Sequence, residues 1–193
     1  MRDFGAGAVV AVEGQGEVLE ELRAIGRGVG ADLVEDFDGK AAGVGFFFDH
    51  DGWDGADEDG FGDIRNNTIA NRSQFFQNLA LPFYGYNRTG AKVSKGIIDN
   101  FWFQGMTGGH KGLVDCVKAF SETDFTEDLK KIDIPVLVLH GEDDQIVPYK
   151  DAGVLSAKIL PNATLKTYPG FPHGMCTTEA DTINNALLTF LKS

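Results

Sequence analysis

Two loops in the second half of the chain carry the residues best suited to chemistry. Residues 141–145 (GEDDQ) directly follow an apolar run, and residues 170–174 (GFPHG) follow a shorter strand candidate. In open parallel sheets, catalytic groups gather in loops at the carboxyl ends of strands, and adjacent strands bring such loops side by side. An acid from the first loop can therefore orient the imidazole of His173 as a general base. Asp144 precedes His173 by 29 residues, which suits one strand–helix–strand crossover.

Both loops also have an ordinary structural interpretation. The acids could form a solvated turn that leads into a helix N-terminus. His173 could be a loop histidine without a chemical role. The residue pattern alone leaves these interpretations open.

Hydrophobic spacing predicts the elements that would position the two loops. Ile134–His140 is a continuous apolar run, typical of a strand buried on both faces of a parallel sheet, and Thr164–Tyr168 is a shorter strand candidate. With a helix between them and another after them, this order implies a right-handed parallel crossover. The apolar faces of these two helices are Ala152, Leu155 and Ile159, then Ile183, Ala186, Leu187, Phe190 and Leu191. Further upstream, helical faces are predicted at Phe75, Phe76 and Leu79, at Val93, Ile97 and Phe101, and at Leu113, Val117 and Phe120.

The first 60 residues have a different composition from the rest. They hold 15 of the 29 acids, 4 of the 17 bases and 13 of the 25 glycines, but no Ser, Thr, Asn, Pro, Tyr or Cys. Turns and helix caps normally draw on those missing residues. Only Glu17–Ile25 has a helical pattern. We therefore expect an atypical, poorly structured segment at 1–60 and a folded part at 61–193.

The folded part resembles a known family over about Phe61 to Ser193. The segments NRSQFFQNLALPFYGYNRTGAKVSKGIIDNFWFQGM, DCVKAFSETDFTEDLKKIDIPVLVLHGEDDQIVP and PGFPHG are similar to the C-terminal half of the cofactor-free bacterial haloperoxidases and aryl esterases of the α/β-hydrolase fold. The resemblance implies an α/β fold, with a helical cap at 61–125 and the last two parallel strands with their helices at 126–193. The family pattern Gly-acid-x-Asp-x-Ile/Val-Val-Pro falls on residues 141–148 and selects Asp144 as the triad acid, and Pro-His-Gly selects His173 as the base.

The resemblance also implies a reaction. Enzymes of this kind use a serine to form an acyl-enzyme from an ester, and water or hydrogen peroxide then cleaves it; peroxide gives a peracid that can oxidise halide. The implied partners are a small ester or carboxylic acid with hydrogen peroxide, no metal or other cofactor is needed, and a homo-oligomer is one expected state. The nucleophile motif G-x-S-x-G, however, is absent from this sequence. We therefore expect the chain alone to be inactive.

No other residue replaces that serine convincingly. Ser94 lacks the first glycine of the nucleophile turn, Ser121 and Ser156 are similarly misplaced, and Cys176 is best explained as a packed or idle thiol. The acidic stretch 49–60 fails the spacing of a calcium-binding EF-hand loop. Residues 26–31 match the glycine spacing of a dinucleotide-binding fingerprint, but that fingerprint must follow a strand and here a helical pattern precedes it.

Charge and apolar run length exclude several other classes of protein. The net charge of −12 argues against nucleic acid or an anionic membrane as a partner. Neither a signal peptide nor a membrane span is indicated, and the two cysteines suit a reduced, cytoplasmic setting. The alternative to a hydrolase is a non-catalytic interaction or cation-binding protein that uses the acidic segment. A wrong reading frame or gene start before Phe61 would also explain that segment, and would leave the Ile134–His140 strand with an unpaired edge.

Overall fold

The structure is a computed structural model that describes residues 8–12, 33–37, 40–44, 58–122 and 124–192. Its strands are β1 (Ala8–Val12), β2 (Leu33–Phe37), β3 (Lys40–Val44), β4 (Val136–Gly141) and β5 (Ala163–Tyr168). They form one sheet in the order β2-β3-β1-β4-β5. Both strands predicted for the C-terminal part are therefore present. The predicted helix Glu17–Ile25 lies outside the described residues.

Strand β4 has a neighbour on each side. It pairs in parallel with β5, with Gly141 opposite Tyr168, and antiparallel with β1, with Val10 opposite Val138. The expectation of an unpaired edge along 134–140 is therefore wrong, because the apolar β1 segment supplies a second partner for the ladder. The strand also begins two residues later than predicted, just after a proline, which has no N–H to donate.

Helices complete the described part of the chain. They are α1 (Glu58–Phe83), α2 (Lys95–Thr107), α3 (His110–Glu122), α4 (Thr126–Leu129), α5 (Gly153–Ile159), α6 (Met175–Thr178) and α7 (Ala180–Leu191). Each helical face predicted after residue 61 falls in or beside one of them. Helix α1 is interrupted at Asn71, whose φ of −155° and ψ of 79° are not helical.

Both faces of β4 are covered, which explains its unbroken apolar sequence. Every residue of β4 is buried, and successive side chains point to opposite faces of the sheet. Burying each Val or Leu side chain contributes roughly 1.5–3 kcal/mol. The β4 residues on one face are Leu137 and Leu139, packed with Met175, Ile183 and Ala186; those on the other are Val136 and Val138, packed with Leu129 and Leu160.

A third apolar cluster joins α1 and α2 to the C-terminal end of the sheet. Helices α1 and α2 cross closely at Gly105, where a Cβ would lie 2.5 Å from the ring of Phe76. The cluster consists of Ala80, Phe83, Tyr84, Val93 and Ile98, with Ile97, Phe101 and Ile146 packed against it. Ile146 follows β4, so this helical layer contacts the end of the sheet where the two candidate loops lie.

The architecture agrees with the predicted α/β class. Among the helices of the described residues, none is both long enough and apolar enough to span a bilayer. The division at residue 60, and the division near 125 between a cap and a core, remain predictions.

Candidate active site

The acid loop, residues 141–148, lies against the histidine loop, residues 169–174. The N–H of Asp143 donates to the carbonyl of Phe171 at 3.2 Å, and the N–H of Glu142 donates to the carbonyl of Tyr168 at 2.9 Å. Gly141 permits this approach, because a Cβ there would lie 2.2 Å from the carbonyl oxygen of Phe171. The two loops are therefore side by side, as the parallel-sheet argument predicted.

Asp144 and His173 meet between these loops. Nδ1 of His173 lies 2.8 Å from Oδ2 and 3.1 Å from Oδ1 of Asp144, and the two residues are only 3% and 7% exposed, respectively. Because an ionised carboxylate only accepts hydrogen bonds, Nδ1 must carry the proton. In the neutral ring this leaves the Nε2 lone pair for a proton from another group, which is the tautomer that a general base requires.

The backbone of the acid loop also binds the Asp144 carboxylate. Oδ1 accepts hydrogen bonds from the N–H groups of Ile146 at 2.9 Å and Val147 at 2.8 Å. Burial by itself raises the pKa of Asp144, but hydrogen bonds from His140 and His173, the charge of His173 and the Val147 N–H outweigh it. The net effect lowers the pKa of Asp144 well below its ordinary value, so this carboxylate stays ionised while buried.

The other two acids of the loop have different partners. Asp143 forms a two-point ion pair with Arg88 at 2.7 and 2.8 Å, and the hydrogen bond from that guanidinium lowers the pKa of Asp143. Glu142 accepts a hydrogen bond from the hydroxyl of Thr167 at 2.7 Å. Of the three acids that the sequence places in this loop, Asp144 is the one that contacts His173.

A second histidine, His140, also contacts Asp144. It is fully buried, and its Nε2 lies 3.1 Å from Oδ2 of Asp144 and 3.0 Å from the carbonyl oxygen of Val147. The sequence reasoning treated His140 as the last residue of a strand and gave it no role. A polar residue at the end of an otherwise apolar run was the available signal.

The end of α1 packs directly against the histidine loop. The N–H of Gly174 donates to the carbonyl of Phe83 at 2.7 Å, and the rings of Phe83 and His173 meet edge to face with centroids 4.6 Å apart. The next turn uses Gly85 at a φ of +63°, and a Cβ there would lie 3.2 Å from Pro172. One face of the His173 ring is therefore fixed by the chain segment that ends α1.

The same segment also reaches the acid loop. Besides the Arg88–Asp143 ion pair, the side-chain amides of Asn87 and Gln145 are paired, with Asn87 Nδ2 donating to Gln145 Oε1 at 2.9 Å. Residues 83–88, which we call the bridging segment, thus contact both loops that carry the candidate acid and base.

The alternative nucleophiles lie in or beside helices, and none of them belongs to the acid loop or the histidine loop. Ser94 is exposed just before α2, Ser156 is buried within α5, and Cys176 is a partly buried thiol in α6. Ser121 lies in α3, but its side chain is outside the described part. The side chains of the acidic stretch 49–60 and of residues 26–31 are outside it as well. Within the described ranges, no group of three or more His, Cys, Asp or Glu side chains could hold a metal ion.

Known proteins that are similar to this chain include hydrolases and non-heme haloperoxidases. The family model described as Serine aminopeptidase, S33 matches residues 110–181. The bifunctional esterase/perhydrolase of Acinetobacter calcoaceticus is 56% identical over 141 residues, covering 72% of this chain and 51% of the relative. The non-heme chloroperoxidase of Streptomyces lividans is 54% identical over the same coverage. The chain therefore spans about half the length of these relatives.

Solved structures agree with the sequence matches. The bromoperoxidase from Bacillus anthracis superimposes with a TM-score of 0.70 at 33% identity, covering 77% of this chain and 54% of that one. An esterase from Exiguobacterium antarcticum gives a TM-score of 0.67 at 19% identity, covering 77% of this chain and 53% of the esterase, a likeness of fold alone. The fold class and the resemblance predicted from the sequence are confirmed.

Proposed function

We propose that this chain provides the acid, Asp144, and the base, His173, of serine-type ester hydrolysis and perhydrolysis. From about Phe61 it resembles the non-heme chloroperoxidases and esterases of the α/β-hydrolase fold. The observation that carries the proposal is the buried hydrogen bond from His173 Nδ1 to Asp144 Oδ2 at 2.8 Å. It orients an imidazole whose other nitrogen can take a proton, next to a carboxylate that stays ionised.

His173 would act twice in each catalytic cycle. When a serine hydroxyl attacks an ester carbonyl, Nε2 of His173 takes the hydroxyl proton and then gives it to the departing alcohol, which leaves an acyl-enzyme. Water or hydrogen peroxide then attacks the acyl group, and Nε2 takes and returns that proton in the same way. Water yields a carboxylic acid, whereas peroxide yields a peracid, which can transfer an oxygen atom to halide. Asp144 stabilises the imidazolium formed in each step.

The sequence has no serine in the G-x-S-x-G motif that supplies the nucleophile in this family. Neither the G-x-S-x-G motif nor any serine occurs in residues 1–60. In serine hydrolases, loss of the nucleophile lowers kcat by about 10⁶-fold even when the acid and base remain. We propose that the chain alone retains at most slow, base-assisted hydrolysis by His173 acting on water.

The substrates and setting follow from the same proposal. The substrates would be small esters or carboxylic acids with hydrogen peroxide, as the name esterase/perhydrolase indicates for the Acinetobacter relative. No disulfide joins Cys116 and Cys176, the two cysteines of the sequence, which is consistent with a cytoplasmic protein. Assembly into a homo-oligomer remains part of the proposal.

The test is hydrolysis of an aryl acetate by the full chain and by the variants His173→Gln and Asp144→Asn. Both variants should lower the residual rate, whereas Lys95→Gln, on the exposed surface of α2, should leave it unchanged. A rate that is the same in all four proteins would contradict the role of the pair. Stoichiometric labelling by a covalent serine-directed probe would contradict the proposed lack of a nucleophile.

A further inference from the structure

His140 is the buried titratable group that the proposed reaction does not use. It ends the apolar run of β4, has no exposed surface, and contacts the same carboxylate oxygen of Asp144, Oδ2, as His173 does. Its Nε2 lies within hydrogen-bond distance of two oxygens, Oδ2 of Asp144 at 3.1 Å and the carbonyl of Val147 at 3.0 Å.

The surroundings of the ring fix its tautomer. Both neighbours of Nε2 are acceptors, since a carboxylate and a carbonyl have no proton to give, so Nε2 must carry the hydrogen and donate it. Nδ1 is buried and has no hydrogen-bond partner among the described residues. A proton on Nδ1 would be a buried donor without an acceptor, which is costly. His140 is therefore the neutral Nε2–H form, opposite to His173, which carries its proton on Nδ1.

These contacts close a ring of hydrogen bonds around the carboxylate. Val147 donates its N–H to Oδ1 of Asp144 at 2.8 Å and accepts from His140, which also donates to Oδ2. The backbone of Gly153 packs closely against the Nδ1 side of the His140 ring, since a Cβ on Gly153 would lie 2.5 Å from Nδ1. The carboxylate thus has a second side-chain donor on Oδ2 besides His173.

We propose that His140 is a positioning residue, which holds the Asp144 carboxylate at the angle that keeps the proton of His173 on Nδ1. This inference rests on the proposed function, because the tautomer of His173 matters only if that residue is the base. Without the His140 donor, Oδ2 has one side-chain donor in place of two, and rotation of the carboxylate about its Cβ–Cγ bond is opposed by the backbone donors on Oδ1 and by His173 alone. The hydrogen bond to His173 then loses its alignment.

Nitrogen NMR of the full chain labelled with ¹⁵N-histidine tests this directly. The sequence has four histidines, and each ring reports which nitrogen carries the proton. The wild-type chain should show His140 protonated on Nε2 and His173 on Nδ1. Replacing His140 by leucine should convert His173 into a mixture of the two tautomers. His140→Gln keeps an N–H donor near the position of Nε2 and should preserve the Nδ1–H form.

Two further variants separate the possible failures. Leu139→Ala removes buried packing from the neighbouring position of β4 without touching Asp144, so the tautomer of His173 should not change. A tautomer mixture in Leu139→Ala would show that general loosening of the strand is sufficient, and would overturn the positioning role. Asp144→Asn should disturb His173 whatever His140 does, and an unchanged His173 in that variant would contradict the proposed function itself.

The inference fails in three other outcomes. It is wrong if His173 stays fully Nδ1–H in His140→Leu, or if the wild-type chain shows His140 protonated on Nδ1. If His140→Leu does not fold, His140→Phe, which keeps a planar ring but has no N–H donor, decides: a mixture of His173 tautomers supports the role, and a pure Nδ1–H form overturns it.

Discussion

Gly141 offers the sharpest test of how the two candidate loops are held together. A Cβ at this position would lie 2.2 Å from the carbonyl oxygen and 2.8 Å from the carbonyl carbon of Phe171. Both of these atoms belong to the backbone, so no side-chain rotation can relieve the contact. The substitution Gly141→Ala must therefore move the acid loop and the histidine loop apart.

The size of the effect follows from the distance. Real Cβ atoms essentially never approach another heavy atom within 3.0 Å, so the chain must shift by roughly 1 Å, and such overpacking costs about 1–3 kcal/mol. The shift would also break the 3.2 Å hydrogen bond from Asp143 N to Phe171 O, which contributes about 0.5–1.5 kcal/mol. We expect the free energy of unfolding to fall by about 2–4 kcal/mol.

Urea unfolding followed by circular dichroism measures this change. With a slope near 2 kcal/mol per M, the midpoint should fall by about 1–2 M. Gly112→Ala is the matched control, because Gly112 lies on the exposed surface of α3 with nothing within 4 Å of its Cβ position. That control should raise stability by up to about 1 kcal/mol. A Gly141→Ala chain as stable as the wild type would refute the close backbone approach of the two loops.

Three further predictions concern the surroundings of the acid. The pKa of Asp144 is lower in the folded chain than in the unfolded one, so the stability that this carboxylate contributes is present above about pH 4 and is lost as the pH falls. Urea unfolding from pH 7 to about pH 3 should show this loss of stability, and the loss should be smaller in Asp144→Asn. Gly153→Ala should press on the His140 ring and lower stability by about 1–3 kcal/mol, and a neutral result in the same assay would show that the ring can move. Arg88→Ala should cause only a small loss, because its ion pair with Asp143 is half exposed, and that loss should vanish in 1 M salt; a loss that persists there would indicate packing rather than charge.

The sequence predicted the parts of the fold that depend on local pattern. The apolar run that became β4 and the helical face at Ile183 and Ala186 were visible because burial on both faces of a strand, or on one face of a helix, leaves a periodic signature. The choice of Asp144 among three acids needed the family resemblance. The structure adds a physical distinction, because Asp143 is paired with Arg88 while Asp144 contacts a histidine.

Other parts could not be predicted from local pattern. The pairing of β1 with β4 joins residues more than a hundred positions apart, and no spacing in the sequence signals such a contact. His140 was missed for a related reason, since its partners become neighbours only when the chain turns back at Val147. The proposed cation-binding alternative depends on the acidic stretch 49–60, and a calcium titration followed by circular dichroism would test it, because an arm that binds calcium should gain structure.

The bridging segment has a consequence for exchanging the helices that precede it. Residues 83–88 both end the helix α1 and hold the two loops that carry Asp144 and His173, through the Phe83 carbonyl on one side and Arg88 on the other. A chimaera that replaces α1 with a helix from another protein would have to join after residue 88 or import a segment with the same contacts. A junction placed earlier would exchange the support of Asp144 and His173 together with the helix.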